Sequence, residues 1–139
     1  MKRYKIMLVD DDENMLENIK LYMEAFGDIE IIPVVNPFSA ISTAEHCNPL
    51  PDLFLIDLIL HPKLHGSDIA SQIRNNSRLK NIPIVFFTGS DKGQIKRNEL
   101  PPNGKIGGDD FIIKGEPPDV LRFKLLKIIK DNSDKKAAL

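Results

Sequence analysis

A single cysteine, Cys47, among 139 residues excludes an internal disulfide, so a reducing compartment is the default expectation. An excess of charge of one sign is also missing. A formal net charge of -1 is unlike the basic excess of a dedicated nucleic-acid binder, so no direct nucleic-acid contact is expected. There is no long apolar run at the start. Behind Met1-Lys2-Arg3-Tyr4, the apolar stretch Ile6-Met7-Leu8-Val9 meets three aspartates at once. It is too short for a signal peptide and far too short to span a bilayer. The expectation is a cytoplasmic protein with no membrane partner. The glycines from Gly104 to Gly108 lack both the dinucleotide-binding and the P-loop spacing. No internal repeat or linker divides the chain. What remains is ordinary globular material, 42% hydrophobic, long enough to bury one core in one domain.

Apolar runs alternate with helical patterns along the chain, which points to βαβ units and a parallel sheet covered on both faces. Strands are expected at Tyr4–Val9, Ile29–Val35, Leu53–Ile56, Ile84–Phe87 and Phe111–Ile113. After the first strand, Met15, Leu16, Ile19, Tyr22, Met23 and Phe26 recur at helical spacing, with Gly27 as a stop. Asn36-Pro37 reads as an N-cap followed by proline at the first helical position, opening a helix to about Cys47. Asn48-Pro49-Leu50-Pro51 is a loop. A third helix starts at Gly66 or Ser67 and carries Ile69, Ala70 and Ile73. A short helix is expected near Asp91, ended by Pro101-Pro102. Asn103-Gly104 and Gly107-Gly108 form a turn-rich approach to the fifth strand. Pro117-Pro118 opens a last helix with Val120, Leu121, Leu125, Ile128 and Ile129 facing inward. Lys124, Lys127 and Lys130 form its solvated face. The domain is expected over residues 1–131, with a frayed tail over 132–139.

Four of these strands lead into a reactive polar residue. The first runs into Asp10, Asp11 and Asp12, the third into Asp57, the fourth into Thr88 and the fifth into Lys114. In an open parallel α/β sheet, ligands bind outside the carboxyl ends of the strands, where the strand order reverses. Carboxylates, a hydroxyl and an ammonium converging there suit a divalent cation and a transferable phosphoryl group. Carboxylates packed so closely should titrate as a coupled unit, with at least one raised pKa. Taken singly, each residue has an ordinary explanation. Asp12 suits the N-cap of the first helix, and an isolated aspartate after a strand is usually a turn residue. The combination, in one order at one end of the sheet, is what carries the reading.

That combination resembles the receiver domain of two-component response regulators. The matching stretches are Ile6-Met7-Leu8-Val9-Asp10-Asp11, Pro51-Asp52-Leu53-Phe54-Leu55-Ile56-Asp57-Leu58, Pro83-Ile84-Val85-Phe86-Phe87-Thr88-Gly89 and Gly108-Asp109-Asp110-Phe111-Ile112-Ile113-Lys114. The resemblance implies a flavodoxin-like, doubly wound α/β fold with five parallel strands in the order 2-1-3-4-5. It implies Asp57 as phosphoacceptor, with Thr88 and Lys114 contacting phosphoryl oxygens. Magnesium would be held by Asp10, Asp11, Asp57 and the backbone carbonyl of Ile59. Thr88 and Phe111 would form a switch, although a half-buried strand aromatic is an equal reading of Phe111. The phosphodonor would be a sensor histidine kinase or phosphotransfer protein, and the signal would pass to an output protein. Self-catalysed phosphotransfer and autodephosphorylation are compatible with a domain that is otherwise not an enzyme.

Three features depart from the family pattern. Leu58 to Gly66 holds one residue more than the usual loop, Thr88 to Lys114 is longer than typical, and Gly115 replaces the usual proline. Two rival functions stand beside the main one. A receiver-like interaction module working without phosphorylation is one. The other is an aspartate-nucleophile phosphatase, whose usual second aspartate would fall at Ile59. His61 and His65 have zinc-like spacing but flank Pro62 in a loop, and His46 beside Cys47 reads as the end of a packed helix.

Overall fold

The computed structural model describes residues 2–60, 64–89 and 110–137. The helix expected near Asp91, its stop at Pro101-Pro102, the glycine-rich approach from Asn103 to Gly108, and His61 lie outside the described residues. Strands β1 (Tyr4–Val9), β2 (Ile29–Val34), β3 (Leu53–Asp57), β4 (Ile84–Thr88) and β5 (Asp110–Ile113) form one sheet in the order β2-β1-β3-β4-β5. Every ladder is parallel, as the sequence predicts. Among the described residues the helices are α1 (Glu13–Glu24), α2 (Ala40–Glu45), α3 (Gly66–Arg74) and α4 (Pro118–Ala137), with a 3₁₀ turn at Pro37–Ser39.

Because strand side chains alternate in direction, each central strand feeds two cores. Met7, Val9, Phe54, Ile56, Ile84 and Phe86 point to the face covered by α2 and α3. Ile6, Leu8, Leu53, Leu55, Val85 and Phe87 point to the face covered by α1 and α4. All five residues of β3 and of β4 are buried, which is why these strands read as unbroken apolar runs. Pro33 sits in β2, an edge strand, where its missing N–H leaves the inner ladder intact.

Asp12 caps α1, its Oδ1 accepting from the N–H groups of Asn14 at 3.0 Å and Met15 at 3.3 Å. Gly27, at φ 89°, makes the left-handed turn into β2. Of the residues that recur at helical spacing, Tyr22 and Phe26 are exposed. Leu16 and Met23 are the buried residues of α1. Tyr22 falls on the flank, and Phe26 lies past the helix end with its ring 5.1 Å from the Arg122 guanidinium. Asn36 caps a tight turn rather than an α-helix, and α2 proper ends at Glu45, with His46 as its C-cap. In α4, Leu121, Leu125 and Ile129 are buried and Ile128 is half-buried. Val120 was expected inward but is exposed, because it lies one residue, about 100° of rotation, from Leu121. Lys124, Lys127 and Lys130 face solvent. The helix continues through Ala137, past Asn132, where the sequence places the start of a frayed tail.

Candidate functional site

The chain passes from β1 outward to β2 and returns on the other side of β1 as β3. The carboxyl ends of β1 and β3 therefore flank the crevice where strand order reverses. Asp10 follows β1 and is fully buried, Asp57 ends β3 at 8% exposure, and Asp11 is exposed. One carboxylate oxygen from each of these three lies within 4.8 Å of the others.

Lys114, just past β5, crosses to this cluster. Its ammonium donates to Asp10 Oδ2 at 2.9 Å and to Asp57 Oδ2 at 3.1 Å. Its main-chain N–H donates to the Thr88 carbonyl at 2.7 Å, which ties the lysine to the end of β4. The remaining carboxylate oxygens are held by backbone. Asp10 Oδ1 accepts from the Asp12 N–H at 3.0 Å, and Asp57 Oδ1 from the Ile59 N–H at 3.2 Å. Thr88 is buried at the end of β4, opposite Ile113 in the ladder. The structure thus brings Asp10, Asp11, Asp57, Thr88 and Lys114 to one end of the sheet. Phe111 is half-buried within β5, three residues before Lys114, its ring 5.5 Å from that of Phe86.

Burial pushes the Asp57 carboxyl up; the Lys114 charge opposes this and the Asp10 charge adds to it, leaving the pKa at about 6. A raised carboxylate is what the sequence leads one to expect, but its largest cause is burial rather than the crowding of acids. Burial works to lower the Lys114 pKa, but the hydrogen bond to Asp10 and the charges of Asp57 and Asp10 outweigh it. Lys114 therefore stays an ammonium, and the site holds a cation between acids that repel one another.

Two contributors carry no signal that a sequence reading could use. The Phe87 ring lies 5.7 Å from the Lys114 ammonium, a cation–π contact that joins neighbouring strands. Gly66 meets the backbone of Asp57 and Leu58, a tertiary approach without periodicity. Of the histidine pair, His65 is the N-cap residue of α3. Gly115 adopts φ 100°, and among the described residues the one cis peptide is Asn48-Pro49. The bond from Lys114 to Gly115 is therefore trans.

The model of the family described as response regulator receiver domain matches residues 6–126. The sensory transduction protein BceR of Halalkalibacterium halodurans is 30% identical over 132 residues, covering 91% of this chain and 50% of that protein. The chemotaxis protein CheY1 of Helicobacter pylori, strain 26695, is 27% identical over 128 residues, covering 92% of this chain and 98% of CheY1. The chain thus spans about half the length of some curated relatives and nearly all of another. Its fold is similar to that of a CheY-like response regulator receiver domain protein from Methanospirillum hungatei. The TM-score is 0.79 at 19% identity, over 96% of this chain and 99% of that one. With the acidic crevice and its lysine in place, the matched span shows that this chain belongs to the response regulator receiver domain family, the phosphoacceptor signalling domain of two-component systems.

Proposed function

We propose that Asp57 accepts a phosphoryl group from a phosphohistidine on a sensor histidine kinase or phosphotransfer protein, and that the chain then signals to an output protein by changing conformation. The observation that carries this is the setting of Asp57. It is the carboxylate at the end of β3, with one oxygen on the Ile59 N–H and the other on Lys114, beside the acids that follow β1. An Asp57 oxygen attacks phosphorus, the P–N bond to the donor imidazole breaks, and its electron pair returns to the ring nitrogen. Lys114 moves from bridging two carboxylates to a phosphoryl oxygen, as a point charge on a flexible stem can. The Thr88 hydroxyl donates to another. These groups belong to the chain itself, so the transfer is self-catalysed, and attack by water would remove the phosphoryl group again.

The donor set suits magnesium, which takes hard oxygens and retains several waters. Exposed Asp11 fits a direct ligand. Asp10, with both oxygens accepting from Asp12 and Lys114, fits a contact through water. Asp57 and the Ile59 carbonyl complete the set. When bound, magnesium would neutralise charge on the phosphoryl oxygens. The setting is cytoplasmic on this reading, and no described helix is long and apolar enough to cross a membrane.

Intact-mass measurement after incubation with acetyl phosphate and magnesium tests the proposal. The wild type should gain one phosphate and Asp57→Asn none. Equal labelling of both would remove Asp57 from the role.

A further inference from the structure

Gly66, the first residue of α3, is buried against the backbone that follows Asp57. A Cβ at this position would stand 2.4 Å from the Asp57 carbonyl oxygen, 3.1 Å from its carbonyl carbon and 3.0 Å from Leu58 Cα. Carbon atoms in favourable contact lie at roughly 3.5–4.0 Å, so even a methyl group would displace main chain. Backbone freedom is not why glycine is needed here, since the described glycines with positive φ are Gly27 and Gly115.

The contact leads straight to the carboxylate. The Gly66 N–H donates to the Leu58 carbonyl at 2.8 Å, and Ile59 faces His65 across an isolated antiparallel bridge. The Ile59 N–H in turn holds Asp57 Oδ1. The start of α3 is itself anchored. Asp68 Oδ2 accepts from the His65 N–H at 2.9 Å, and Ile69, Ala70 and Ile73 are buried. A side chain at position 66 would therefore press on the Asp57–Leu58 peptide while the helix stayed in place.

We infer that Gly66 is a positioning residue. Its missing side chain lets α3 clamp the backbone from Asp57 to Ile59, so that the Asp57 carboxylate and the Ile59 carbonyl keep the arrangement a divalent cation requires. This rests on the magnesium reading above and names a residue outside the ligand set on which it depends.

Calorimetric titration of the full chain with magnesium chloride, beside circular dichroism, tests it. Gly66→Ala should keep the secondary structure yet bind magnesium roughly tenfold or more weakly, as loss of a supporting shell does. Its Ile59 amide resonance should also be shifted. Asp68→Ala, which slackens the same helix start without adding bulk, should weaken binding in the same direction by less. A folded Gly66→Ala variant with wild-type affinity overturns the inference. Should that variant fail to fold, wild-type affinity in Asp68→Ala overturns it instead, and weaker affinity supports it. A wild type that binds no magnesium has a different signature. It overturns the metal reading, and the inference with it.

Discussion

Lys114 and Asp10 lie 104 positions apart in the chain, yet the Lys114 ammonium donates to the buried Asp10 carboxylate at 2.9 Å. The pair spans the crevice from the strand at one edge of the sheet to the strand beside the opposite edge. With Asp57 as a second acceptor, the lysine places one cation between two buried acids that sit side by side.

Removing that cation should be felt before any chemistry is attempted. Lys114→Met keeps the apolar stem and leaves Asp10 buried without its counter-charge. A loss on the order of 3 kcal/mol is expected at neutral pH in the presence of a chelator, with part of it recovered on adding magnesium. Urea denaturation under both conditions measures this. An unchanged midpoint in chelator would mean that the lysine does not stabilise the cluster.

Asp57 should have the opposite effect on stability. Its folded pKa, about 6, lies above the ordinary 3.8. Between these values the folded state holds a proton that the unfolded state has released, so stability falls as pH rises through the window. Asp57→Asn removes the titration. In chelator it should be more stable than the wild type at neutral pH, by on the order of 2 kcal/mol, and the gain should vanish below pH ~4. Thermal melts across that range decide it. A variant less stable than the wild type at neutral pH in chelator would contradict this balance of burial and charge.

Acid should act on a second pair, far from the site. Arg122 of α4 holds Asp28 through its Nε at 3.1 Å and through a second, shorter contact from the same guanidinium. The hydrogen bond from Arg122 holds the Asp28 pKa below 3.8, against a smaller opposing effect of burial. A depressed folded pKa gives stability that is present above 3.8 and is lost as pH falls through the folded value. Arg122→Ala should therefore flatten the acid limb of the stability curve. At neutral pH it should lower the melting point modestly, since Phe26 also loses its cation. Identical acid limbs in the two proteins would show that the pair is screened to insignificance.

The strand-end residues were legible because a parallel sheet sends every strand the same way, so acids, threonine and lysine that follow strands must meet at one end. The strand order followed from the same alternation. Side-chain phase at helix flanks was less legible. Tyr22 and Val120 are apolar neighbours of buried positions, and nothing in one helix's spacing marks the edge of its buried stripe. The Asn36-Pro37 pair signalled a start, but the tight turn that precedes α2 is set by packing. Gly66 reads in sequence as a possible helix start, since its contact with Asp57 exists only once α3 has docked. Phe87 reads as one residue of an apolar strand, because its place near the Lys114 ammonium depends on the β4–β5 ladder.

The switch is the remaining step. Thr88 and Phe111 belong to adjacent strands: Thr88 pairs with Ile113 and Phe86 with Phe111 in the ladder, and the Phe86 and Phe111 rings are in contact. A hydroxyl drawn toward a phosphoryl oxygen would move the end of β4, and β5 is hydrogen-bonded to that strand. Phosphorylation then needs only to change the relative stability of two existing arrangements. Amide exchange with and without the phosphate mimic beryllofluoride, in the presence of magnesium, should show altered protection from Thr88 through Lys114 as well as around Asp57. Thr88→Ala should still be phosphorylated on Asp57 yet lose the change in β5. If altered protection stayed within the loops around Asp57 in the wild type, Thr88 and Phe111 would not be the route to the output surface.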